Sequence, residues 1–286
     1  MLILHDPECA GYGSSMRPEQ PARITRSAAH LQTAHPHWRW RVPAAASPET
    51  LQLAHTPEHL RRLQQPRDFD DDTPFFPEIY EHARRAAGAA VTAAEIALID
   101  HQPAFSLMRP PGHHATADQA MGFCYLNSIA IAALYAREKL RASRVAIWDF
   151  DAHHGNGTES ILRARHGVLF ASVHQFPGYP GTGTRSFANC RNWPVAPRTP
   201  RAAHLAALRE SLDAVVAFAP TLVLVSAGFD AYVHDPITSM SLEIEDFTTL
   251  GRWLRETGLP AAAILEGGYS DDLALLIDAW VSAWKK

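Results

Sequence analysis

Short runs of consecutive apolar residues alternate along this chain with longer stretches of helical periodicity. Residues 1–6, 104–107, 145–148, 167–173, 221–225 and 261–265 carry the apolar runs. Most of them are apolar at successive positions rather than at every second one, the pattern of strands covered on both faces of a parallel sheet. Between them, residues 81–98, 128–140, 202–218 and 246–257 read as helices, the last followed by Gly258 as a C′ residue. Ser270-Asp271-Asp272 predicts the cap of a final helix running to Trp284. Strands separated by helices imply right-handed crossovers and a mostly parallel sheet with helices on both faces. The expected architecture is a three-layer α/β/α fold, and the length of 286 residues allows one large domain or two small ones. Two segments break the pattern: residues 68–77, acidic and Pro-containing, and residues 174–200, rich in Gly, Pro and aromatics. Loops of that length in a compact domain are usually functional.

The ends of the apolar runs carry the chemistry. His113 and His114 follow the second run, and Asp149, Asp151 and His153 follow the third. Ala227-Gly228-Phe229-Asp230 and Glu266-Gly267-Gly268-Tyr269 follow the last two. The carboxyl ends of a parallel sheet open on one rim, so these groups can converge. If the third run stays extended, Asp149, Asp151 and His153 share one face. Buried carboxylates are costly unless paired or coordinated, which argues for a metal. Asp151, His153 and Asp230 supply O, N and O ligands and leave a fourth position free. That is the open arrangement of a catalytic zinc site, and the same set also suits iron, cobalt or manganese. Asp149 would then orient an imidazole from behind.

Each element also has a plainer reading. His113-His114 in a Pro-Pro-Gly turn could be a solvated loop among 16 histidines; the functional reading makes them a general acid/base. Tyr269 alone is more simply a loop aromatic, but the glycines before it permit a tight turn that lets a phenol donate to a developing oxyanion. The aromatic segments around Phe123 and Tyr179 either pack or wall a narrow apolar channel. Asp70 and Asp71 read as solvated acids.

Composition narrows the setting. The net charge of −4 argues against non-specific nucleic-acid binding. Cys9, Cys124 and Cys190 are scattered, so neither a disulfide framework nor a thiolate zinc site is expected. The N-terminus is too short in apolar residues for a signal peptide, and no run reaches the roughly 20 residues of a membrane span. A cytoplasmic protein without membrane or nucleic-acid partners is the expectation.

Taken together, the motifs resemble the histone deacetylase superfamily, in its class II-like and bacterial branch, on the arginase/deacetylase fold. They run nearly end to end, so the resemblance implies a single catalytic domain over residues 1–286. Arg17-Pro18-Glu19-Gln20-Pro21-Ala22-Arg23 comes first, followed by Asp72-Thr73, Arg109-Pro110-Pro111-Gly112-His113-His114 and Gly122-Phe123-Cys124-Tyr125-Leu126-Asn127. Asp149 to Gly157, Ser172-Val173-His174, Tyr179-Pro180-Gly181-Thr182-Gly183, Ala227 to Asp230 and Glu266 to Tyr269 complete the series. The resemblance implies that Asp151, His153 and Asp230 bind one zinc ion. His113 and His114 become the catalytic pair, partnered by Asp149 and by Asn156, and Tyr269 polarises the carbonyl. Phe123 and Tyr179 flank an acyl-lysine tunnel, Asp72 holds substrate backbone at the rim, and Gly122 and Gly267 belong to the substrate site. Backbone carbonyls of Asp149, Asp151 and His153, with Ser172 and Val173, match a structural potassium site. His154 should point away from its neighbouring ligand.

The implied activity is hydrolysis of N-acetyl or N-acyl lysine, in a protein or related amine, by a metal-activated water with a His general base. An acetylpolyamine amidohydrolase is the first rival, a catalytically weak acyl-lysine binding module the second. An arginase-type hydrolase lacks support, because the extra ligands of a binuclear centre are missing. Two departures stand out: the segment 184–192 is compressed, and Glu159 stands where relatives commonly carry Gln.

Overall fold

The computed structural model describes residues 1–285, and the apolar runs become strands close to where their pattern places them. The strands are β1 (Leu2–Leu4), β2 (Arg39–Arg41), β3 (Ala104–Ser106), β4 (Val145–Asp149), β5 (Val168–Gln175), β6 (Cys190–Val195), β7 (Leu222–Ala227) and β8 (Ala261–Leu265). They form one eight-stranded sheet in the order β2-β1-β3-β8-β7-β4-β5-β6. Every pairing within it is parallel.

The helices are α1 (Ala22–Ala34), α2 (Pro48–Leu51), α3 (Pro57–Arg62), α4 (Ile79–Ile99), α5 (Ser128–Glu138), α6 (Asn156–Leu162), α7 (Arg201–Ala217), α8 (Ile244–Glu256) and α9 (Leu273–Lys285). Helices α4 and α5 pack together and on the central strands, while α1 and α8 pack on α9. The face under α7 and α9 is joined by aromatics. The Trp148 indole donates to Ser211 Oγ of α7 at 2.9 Å, and Trp148 stacks edge-on against Phe150. Trp280 of α9, fully buried, touches Phe105, Phe150 and Phe229. Truncating a buried aromatic of this kind typically costs about 3–5 kcal/mol. This cluster lies beneath the segments that follow β4 and β7, so it braces the metal-ligand candidates from below.

The elements depart from the apolar pattern in three places. The segment 174–200 is not wholly irregular: it contains the end of β5 and all of β6, an edge strand whose polar positions mask it. Helix α1 has no counterpart in the apolar pattern, because Arg23 and Ser27 share its buried stripe with Ile24, Ala28 and Leu31. Helix α6 begins at Asn156, directly after the Gly-rich turn. Ahead of α9, Asp272 stands at the predicted cap position, its carbonyl accepting from Leu276 N at 3.1 Å; its carboxylate accepts from the Tyr232 hydroxyl at 3.1 Å, and Asp271 pairs with Arg26 at 2.7 Å. Gly258 does close α8, with φ of 64°. Residues 68–77 are irregular as expected. Among the described residues no helix is long and apolar enough to cross a membrane.

Candidate active site

Strands β3, β8, β7 and β4 lie side by side, so the polar segments after them meet on one rim. The extended conformation of β4 stops at Asp149, and the chain then turns. Asp149 is therefore separated from Asp151 and His153 rather than sharing a strand face with them. Its carboxylate faces His113, with Oδ2 at 3.2 Å from Nδ1. The other two converge on Asp230, and one ligand atom from each of Asp151, His153 and Asp230 lies within 4.8 Å of the others.

Backbone amides hold the two carboxylates in place. Gly267 N donates to Asp151 Oδ2 at 2.7 Å, and Ala152 N donates to Asp230 Oδ1 at 2.8 Å. Close approach requires glycine here. A Cβ on Gly228 would lie 2.1 Å from Asp151 Oδ2, and one on Gly267 would lie 2.2 Å from Asp230 Oδ2. Between the carboxylates stands His153 Nδ1, 3.2 Å from Asp151 Oδ1 and 2.9 Å from Asp230 Oδ2. Burial opposes a charged imidazole there, but Asp230 and Asp151 hold it protonated well above its usual range. The pocket thus concentrates negative charge on one point and calls for a cation. Two carboxylates and one imidazole with a free side are a donor set that fits a catalytic zinc ion.

The adjacent histidines stand in opposite environments. His113 is pushed up to about 10: burial works against its charge, and Asp151 and Asp149 outweigh it. His114 falls well below its ordinary value through burial first, then the nearby positive charge of His113 and His153. Its Nδ1 meets Asn156 Oδ1 at 2.8 Å, a neutral partner that fixes the tautomer without favouring protonation. The two rings lie 4.0 Å apart. Beneath them, Glu266 Oε2 accepts from the amides of Gly112 at 2.6 Å and His113 at 3.1 Å. Burial raises this carboxyl to about 7.

A cavity of about 250 Å³ leads from the surface to these groups. His114, His153 and Tyr269 line its depth; Gly122, Phe123 and Tyr179 line its throat; Arg17, Asp72 and Ile237 stand at its rim. Tyr179 meets His114 edge-on at 5.1 Å, and Phe123 meets Tyr269 at 5.7 Å. Gly122, at φ of 55°, has no room for a side chain: its Cβ would come within 2.9 Å of both His114 and Tyr179.

An unanticipated ionic group holds Tyr269. Arg23 Nε donates to Gly268 O at 2.8 Å, and its guanidinium lies 4.8 Å from the Tyr269 ring centre. Glu19 ties Arg23 to the fully buried Arg109, whose Nη2 reaches Glu19 Oε2 at 2.7 Å. Both arginines stand in motifs quoted above, but charge in a polar segment gives no sign of burial.

The Histone deacetylase domain matches residues 17–285. The chain belongs to the histone deacetylase family. It is 36% identical over 287 residues to a probable deacetylase of Methanothermobacter thermautotrophicus, covering 95% of this chain and 86% of that one. It is 35% identical to a histone deacetylase-like amidohydrolase of Pseudomonas aeruginosa, covering 93% and 74%. The solved acetylpolyamine aminohydrolase of Burkholderia pseudomallei superposes with a TM-score of 0.91 at 26% identity, over 99% of this chain and 98% of that one.

Within this member of the histone deacetylase family, most of the residues singled out from sequence come together. The exception is Gly267, expected at the substrate, which instead lies buried against Asp151 and Asp230. Asp72 reaches the rim, and Thr73 beside it accepts from Phe123 N at 3.1 Å. Ser172 and Val173 are buried on β5, where Ser172 is the register partner of Asp149 and its Oγ meets His174 Nδ1 at 2.9 Å. His154 turns away from the ligands, as expected, toward Thr182 at 2.8 Å and Glu159 at 3.2 Å.

Proposed function

We propose that the protein hydrolyses the amide of an N-acetyl or other N-acyl group on a primary amine, with acyl-lysine as the favoured substrate and zinc as the metal. One observation carries this reading: His114, His153 and Tyr269 share the depth of a narrow cavity whose throat is lined by Phe123 and Tyr179. That shape admits an alkyl stem and brings its terminal amide to a base, a metal ligand and a phenol. Asp151, His153 and Asp230 would hold the zinc, which when bound supplies Lewis acidity toward the carbonyl and toward water.

His114, neutral and oriented by Asn156, takes the proton of the attacking water at Nε2 and returns it to the departing amine. His113, protonated and held by Asp149, contributes positive charge beside the reacting centre. Tyr269 keeps its proton, because burial raises it well above its ordinary value, and donates to the oxyanion. Phe123 and Tyr179 exclude water around the stem, while Asp72 accepts a hydrogen bond from substrate at the rim. Potassium at the backbone carbonyls of Asp149, Asp151 and His153, with Ser172 and Val173, belongs to the same proposal.

Acetylated polyamines are the second reading, favoured by the exposed acids Asp71 and Asp72 near the mouth and by the name of the structural relative. The test is turnover by the zinc-loaded protein on acetyl- and longer acyl-lysine peptides beside mono-acetylated diamines. Faster hydrolysis of the peptides supports the first reading, and faster hydrolysis of the diamines supports the second. Turnover of neither would overturn both.

A further inference from the structure

The loop from residue 176 to 189 joins β5 to β6 and carries Tyr179 to the throat of the cavity. Little packing supports it. Phe187 is 61% exposed, and the loop contains Gly178, Gly181 and Gly183. On one flank, Thr182, Arg185 and Phe187 border a second cavity of about 620 Å³ rather than a packed core. What holds the loop is polar. Thr182 Oγ1 meets His154 Nδ1 at 2.8 Å, Gly183 O meets His174 Nε2 at 3.1 Å, and Arg185 O accepts from Asn192 Nδ2 at 3.0 Å. Gly183 sits so close to the two histidines that a Cβ would lie 2.5 Å from His174 and 2.6 Å from His154.

Two of these straps lead to one carboxylate. Glu159, largely buried on α6, accepts from His154 Nε2 at 3.2 Å and from Asn192 Nδ2 at 2.7 Å through Oε2. Its Oε1 accepts from Arg163 at 2.7 Å. Only an acceptor-only group satisfies three donors at once; the amide of Gln would turn an NH₂ toward another donor. His154 thus bridges the two, with Nε2 on Glu159 and Nδ1 on the Thr182 hydroxyl. Glu159 borders the second cavity but not the catalytic one and touches no proposed metal ligand, so it serves none of the chemical steps above.

We infer that Glu159 is a positioning residue for the substrate mouth: through His154 and Asn192 it straps the loop that carries Tyr179, and so sets how firmly the throat grips a substrate. The inference rests on the proposed hydrolysis for its kinetic readout but not for its structural one. With the zinc-loaded protein and an acetyl-lysine peptide, Glu159→Ala is expected to raise KM about tenfold, with kcat within about twofold and zinc content unchanged, for the loss of hydrogen bonds to a charged group. Glu159→Gln should fall between the variant and the native chain. Thr182→Val, at an exposed position, should move KM in the same direction by about threefold. Hydrogen exchange should quicken at amides 178–187 and stay unchanged in β4 and β7. Unchanged KM together with unchanged loop exchange in Glu159→Ala overturns the inference, as does a fall in kcat or zinc content at constant KM. If Glu159→Ala does not fold, Thr182→Val decides by the same criteria. A native protein without turnover refutes the hydrolase reading, and loop exchange then tests the strap by itself.

Discussion

The depth of the cavity and its mouth are built on different principles. In the depth, Asp149, Asp151, Asp230 and Glu266 are fully buried. Each stands at or just beyond the end of a central strand, and backbone amides hold Asp149, Asp151, Asp230 and Glu266. At the mouth, Asp72 is exposed and Tyr179 is 40% exposed, and both ride on segments without regular structure. A sheet with aromatic bracing fixes atoms to the tolerance that bond-making needs. Loops give the variable surface that distinguishes one substrate from another. The difference teaches where each kind of effect should appear: changes in the depth act on metal content and turnover, changes at the mouth act on KM.

The largest effect belongs to the proposed metal ligands. Asp230→Ala removes one of the three proposed ligands and is expected to lower turnover by about a thousandfold or more. Elemental analysis after dialysis should find the zinc lost, and full zinc occupancy would break the ligand assignment. Next comes Tyr269→Phe, which deletes the proposed oxyanion donor and should reduce kcat about 10²- to 10³-fold. Its zinc content and KM should stay near native. Unchanged turnover would remove the phenol from the mechanism and leave Arg23 and the glycines around it without a chemical purpose.

The contrast between depth and mouth also governs what the sequence makes legible. Apolar runs of four to seven residues locate the central strands because burial on both faces demands them. Each run ends in residues too polar for a core, so Asp151, His153, Asp230 and Tyr269 can be placed on one rim before any coordinates. The partition within 149–154 is less legible. Period-2 reasoning keeps Asp149 on the face of Asp151, whereas the strand ends at Asp149 and the following turn sends it to His113. Strand β6 and helix α1 escape because their buried positions include Asn192 and Arg23, whose burial is stabilised by partners far along the chain. Glu19, Arg109 and Glu159 escape for the same reason. A polar residue announces its burial only through partners that the fold supplies.

A subtler effect separates the two histidines of the depth. His114 is kept neutral by burial and by its charged neighbours, and its partner Asn156 adds no charge. Asn156→Asp places a carboxylate 2.8 Å from Nδ1 by the native geometry and favours the imidazolium. A base must be unprotonated to act, so a raised pKa moves the acid limb of the kcat/KM profile to higher pH, by about one unit or more. The alkaline side should change less. A profile that keeps its acid limb in place would show that His114 is not the group whose deprotonation limits the reaction.

The smallest effect is the most telling for the comparison, because Tyr179 is where depth and mouth touch. Its ring walls the throat yet also meets His114 edge-on at 5.1 Å. Tyr179→Ala removes an aromatic contact of about 0.5–1.5 kcal/mol, which corresponds to about a two- to tenfold rise in KM. If the mouth acts only on binding, kcat should hold within about twofold and the acid limb of the pH profile should not move. A fall in kcat would show that the ring also orients His114. In that case the strap that positions Tyr179 would reach the chemistry as well as the grip, and the boundary between the two regions would lie at the loop itself rather than at the throat.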